Sequence, residues 1–139
     1  MKIDFAPDIK LIAEEIIRKL DLDHIDSRRV KFVRTFNTKS NAIARTWEFP
    51  RIWQKALGLE PHYVIEVCSE RFDNLPGHEK EKTIIHELLH ISKNFSGALV
   101  PHVVFGKERV GHHSVNKLYK QFKDAPEEYW ESQDGLIKM

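Results

Sequence analysis

Three residues within five positions carry the chemistry that this sequence advertises. His86, Glu87 and His90 stand in the run HELLH, residues 86–90. Four-residue spacing on a helix sets two imidazoles on one face about a turn apart, so they can grip one metal ion together. Glu87 is displaced around the helix from both and is placed to act as a general base. With His86 and His90 as neutral ligands, Glu87 accepts the proton of a water whose pKa bound Zn2+ lowers to about 7, then passes it to a leaving amine. That chemistry is hydrolysis.

A catalytic zinc site takes three protein ligands and keeps a fourth position open. Three further histidines follow the motif. His102 lies 12 residues beyond His90, directly after Pro101 and among Leu99, Val100, Val103 and Val104, an apolar setting that excludes water from a ligand. His112 and His113, 22 and 23 residues beyond His90, follow Gly111 where the chain enters a last helix. His102 is the leading third ligand and His113 the runner-up. Tyr119, His112, His113 and Arg109 are candidate donors to an oxyanion, although Tyr119 shares the apolar register of Val115, Leu118 and Phe122 and reads as core. A structural zinc site is normally closed by four Cys or His ligands, and one cysteine makes that closure harder. Cys68, at the end of an apolar stretch, reads as a small buried hydrophobe. His24, His62 and His78 have no ligand spacing to the motif and read as surface residues.

The elements that must position these residues can be drawn from periodicity. Apolar positions at three- and four-residue steps predict a helix over 8–20, started by Pro7, and another over 79–92 with Ile84, Ile85, Leu88, Leu89 and Ile91 as its apolar set. Alternation predicts strands over 30–36, 42–49 and 62–68. Asn37 to Asn41 is a turn; Pro50 opens a short helix over 51–57, which Gly58 ends in the left-handed conformation. Residues 69–77 read as a loop or helix entry, and about twenty residues after the motif as a glycine-containing loop. Val115 to Phe122 defines the last helix, broken by Pro126, with 124–139 a frayed tail or short helix. Trp47 and Trp53, flanking the Phe49-Pro50 corner, read as packing. The expectation is one α+β domain over 1–139: about three strands packed on the HExxH helix, with N- and C-terminal helices.

Composition narrows the partners. Of 139 residues, 41% are hydrophobic and 31% charged, as in a folded globular chain. Twenty-two Lys and Arg balance 21 Asp and Glu, and the basic residues are scattered, so no nucleic-acid footprint is visible. No stretch approaches the ~20 apolar residues of a membrane span, and residues 1–10 do not resemble a signal peptide. The lone cysteine fits a reducing cytoplasm.

Residues 44–102 resemble the small archaeal metallopeptidases of the zincin class. The phrases PRIWQ, HYVIEV, HELLHI and FSGALVPH carry the resemblance, which continues more weakly through VNKLYKQF to residue 122. It implies a minimal zincin fold, a peptide or protein substrate beside an edge strand, and a third ligand at Pro101-His102. It names no particular substrate. Small size implies a shallow cleft that a partner or second subunit completes. The alternative reading is a catalytically silent module, stabilised by zinc, that binds peptides or proteins; such a module has no use for Glu87.

Overall fold

Pro7 begins the first helix, where its missing N–H costs nothing, with Asp8 in the first turn and Arg18 and Lys19 in the last, complementing the helix dipole. The computed structural model describes residues 1–126 in full and 129–130 and 137–138 as backbone. Its elements are β1 (Lys2–Phe5), α1 (Pro7–Lys19), a 3-10 turn (Ser27–Arg29), β2 (Val30–Phe36), β3 (Ala44–Trp47), α2 (Arg51–Leu57), β4 (Tyr63–Cys68), α3 (Ser69–Phe72), α4 (Gly77–Leu89), a hairpin of β5 (Val103–Val104) and β6 (Lys107–Glu108), and α5 (His112–Asp124). Tyr129–Trp130 and Ile137–Lys138 pair antiparallel. Of the expected tail over 124–139, Asp124 ends α5, and residues 127–128, 131–136 and 139 lie outside the described residues.

The sheet runs β1-β2-β4-β3. Its central pair, β2 and β4, is parallel, and β1 and β3 flank it antiparallel. Alternation sends Tyr63, Ile65 and Val67 of β4 to one face, where Val30 and Phe32 of β2 join them. Ile9, Ala13 and Ile16 of α1 and Ile84, Ile85 and Leu88 of α4 close over that face as one core cluster. Each fully buried aliphatic side chain contributes about 1.5–3 kcal/mol.

The α+β architecture is the expected one, with a fourth strand added. β1 escapes the sequence because its alternating apolar residues, Ile3 and Phe5, point away from the core and remain largely exposed. A four-residue helix, α3, lies within the stretch read as a loop or helix entry. The loop after α4 is more structured than its composition implied: Ile91 bridges to Leu99, and the β5–β6 hairpin follows.

Trp47 and Trp53 correct an expectation. They are 43% and 57% exposed, not core. Trp47 lies on the opposite face of β3 from Thr46, where its Nε1 donates to Glu66 Oε1 at 2.8 Å and Arg45 stacks on its ring. Trp53 lies on α2, which buries none of its residues. Gly58 ends α2 at φ 66°, as expected.

Candidate metal centre

The geometry of α4 delivers the first two imidazoles. His86 lies in its last turn and His90 forms its C-cap, with the His90 N–H bonded to the Glu87 carbonyl. The chain then reverses, and two hydrogen bonds clamp it to His90. Val100 N–H donates to the His90 carbonyl at 2.8 Å, while His90 Nδ1 sits 2.6 Å from the Val100 carbonyl. A carbonyl only accepts, so Nδ1 carries a proton, and it is Nε2 that is left for a metal. Two residues later His102 comes over the helix, its carbonyl held by the N–H groups of Arg109 and Val110 returning from the hairpin.

One nitrogen from each of His86, His90 and His102 lies within 4.8 Å of the other two, and among the described residues no other such group of potential metal ligands forms. Nε2 of His86 and Nε2 of His102 are 3.3 Å apart. Tetrahedral zinc with Zn–N bonds of about 2.0–2.1 Å sets its nitrogens about 3.3 Å apart, so this pair fits one ion. Burial, then the neighbouring His90 and His102, depress the His86 pKa to about 4. At neutral pH His86 is therefore uncharged, the form that ligates.

Glu87 is 6% exposed. Burial pushes its pKa up, opposed by hydrogen bonding from Thr46 and by the nearby His102. The Thr46 hydroxyl lies 2.8 Å from Glu87 Oε1 and 2.9 Å from the Glu87 carbonyl oxygen, pinning the side chain between α4 and β3. Thr46 was missed in the sequence, where only strand alternation could have marked it as facing the helix. The Cys68 N–H bonds to the Ile43 carbonyl next to the pair Ala44–Val67, so Arg45 and Trp47 turn their backbone groups toward β4. Ala44 and Thr46 therefore turn theirs outward along the free edge.

A cleft of about 570 Å³ opens beside His86 and Glu87, bounded by Ile43 and Ala44 on one side and His112 and Asn116 of α5 on the other. Asn116 also went unremarked in the sequence, although it follows His112 by one helical turn. Of the other candidates, His113 lies beside Glu108 and acts on its carboxylate. The Tyr119 hydroxyl contacts Glu81 at 3.2 Å and its ring packs on the core. Arg109 lines a different cavity. His62 and His78 lie near Glu60 and Glu79, and Cys68 is buried.

An α+β domain with three imidazoles converging beside a buried carboxylate has the makings of a metal-dependent hydrolase. A family model described as "Putative phage metallopeptidase" matches residues 3–123, from β1 through α5. The chain belongs to that family. No curated protein and no solved structure matches it.

Proposed function

We propose that the protein is a zinc-dependent peptidase in which His86, His90 and His102 hold the ion and Glu87 is the general base. The observation that carries this reading is the convergence of three imidazole nitrogens next to a carboxylate whose position is set by Thr46. A set of three neutral nitrogens with no carboxylate or thiolate suits zinc with one coordination position left open. When bound, the ion would polarise a scissile carbonyl and acidify water.

The chain's own residues do the rest. Glu87 Oε1 is engaged by Thr46, which leaves Oε2 to take the proton from the attacking water and return it to the leaving nitrogen. The outward N–H and C=O groups of Ala44 and Thr46 offer an extended peptide a strand to pair with. His112 and Asn116, across the cleft, are the polar groups available to a substrate carbonyl. Among the described residues no helix is long and apolar enough to cross a membrane. The cytoplasm suits a chain whose single cysteine is buried and free.

Metal analysis with peptide-library turnover tests the reading. The protein should purify with about one zinc per chain and cleave some peptides, and Glu87→Gln should keep the zinc while losing turnover by orders of magnitude. Full turnover by that variant would remove Glu87 as the base. A parent protein that binds no zinc would end the proposal.

A further inference from the structure

A second cavity, about 330 Å³, shares no lining residue with the cleft. Its walls come from three parts of the chain: Leu22 after α1, Leu89 in α4 and Val104 in the hairpin supply apolar surface. His24, Lys93 and Arg109 supply the polar part, and no acidic residue lines it. Lys93 stands close enough to His24 to help depress its pKa, after the larger effect of burial. Lys93 and Arg109 are exposed, so they stand at the mouth. Neither side chain has a carboxylate partner among the described residues.

Two unpaired cations over an apolar floor are complementary to a ligand with an anionic head and an apolar body. Arginine's planar fork matches a carboxylate in particular. The volume lies at the small end for ligand pockets. We propose that this cavity binds a small apolar carboxylate, its head held by Arg109 and Lys93 and its body lying against Leu22, Leu89 and Val104. A free acyl acid and the C-terminal apolar residue of a peptide share that chemistry. The occupant touches Val100 and Arg109, whose backbones hold His90 and His102, so it lies directly behind the candidate metal centre without using any of its imidazoles.

Amide NMR titration of the whole protein tests this with four probes: octanoate, acetyl-Gly-Gly-Leu with a free carboxylate, octanol, and the same peptide as its amide. At least one carboxylate should bind saturably with a dissociation constant below about 1 mM, shifting Leu89, Val100 and Val104. The matching neutral probe should bind at least about tenfold more weakly, as should that carboxylate to Arg109→Gln. Binding by octanoate alone assigns the cavity to free acids, and binding by the peptide alone assigns it to chain termini. His86→Ala should bind the carboxylate as the parent does, because the cavity uses no residue of the three-histidine group. The proposal is overturned if neither carboxylate saturates, if the neutral probe binds equally well, or if His86→Ala abolishes binding that Arg109→Gln leaves intact.

Discussion

Thr46 is the residue on which the carboxylate geometry turns. Its hydroxyl reaches both the side chain and the carbonyl of Glu87, and the carboxylate is too buried for water to replace that contact fully. Removing a partner from a buried acceptor costs about 1–3 kcal/mol. Thr46→Val should therefore lose stability in that range in urea unfolding, and Thr46→Ser should recover most of it. Equal stability of the valine and serine variants would show that the hydroxyl contributes nothing. The same test bears on function, since a Glu87 carboxylate released from Oε1 contact also loses its orientation toward water.

At the scale of elements, two joints hold the site's scaffold. Arg34 of β2 reaches Asp8 of α1 through Nη1 and Nη2 at 3.1 and 2.9 Å, and Asp73 after α3 through Nε and Nη2, both at 3.0 Å. The Asp8 carboxyl is held below its usual range, first by hydrogen bonds from Arg34. For Asp73, burial pushes the pKa up, but hydrogen bonds from Arg34 and Ser69 outweigh it and the net shift is down. A depressed folded pKa means stability that is present above the unfolded value of about 3.9 and is lost as pH falls through the folded pKa. Thermal unfolding should show stability falling below about pH 4, and Arg34→Gln should flatten that part of the profile. A variant with the parent's acid slope would exclude this joint as its source.

The second joint is Gly97, where the Phe49 N–H bonds to the Gly97 carbonyl and Gln54 spans to the Phe49 and Ser96 carbonyls. Gly97 has φ 93°, and a Cβ there would collide with the Phe49 carbonyl oxygen and the Gln54 amide. Gly58, with φ 66°, has open space around its missing Cβ. Gly58→Ala should cost about 1–2 kcal/mol from backbone strain alone, while Gly97→Ala adds a steric clash and should cost more. Paired denaturation curves check the order, and a reversed order would mean that the loop after α4 yields easily.

For the molecule as a whole, a metal that binds only the folded state adds stability that grows with metal concentration. Chelation should therefore lower the melting temperature of the parent. His102→Ala should lose that response together with most zinc affinity, and His113→Ala should keep both. The opposite pattern, with His113→Ala losing zinc and His102→Ala keeping it, would reassign the third ligand.

Much of this was legible before the tertiary structure, because it depends on neighbours in the chain. The strand Val30–Phe36 and the helix Arg51–Leu57, with Gly58 as its end, match their expected bounds, since alternation and a left-handed glycine are local signals. The pairing of His86 with His90 on one helical face likewise follows from four-residue spacing. Sequence could rank His102 ahead of His113 and His112, but it could not bring any of them to the pair. The approach of His102 to His86 and His90 depends on Val100 clamping to His90 and on the hairpin returning to the His102 carbonyl, contacts between residues whose separation leaves no periodic trace. The same holds for β1, whose apolar residues face solvent, for Trp47, which is part exposed, and for Thr46, which meets Glu87 across 41 positions. Sequence alone determined which side chains could do chemistry and which local elements carry them. Only the packing of β3 along α4, and the reversal of the chain after it, decided which of those side chains meet, because burial and register are properties of the assembled sheet and helices.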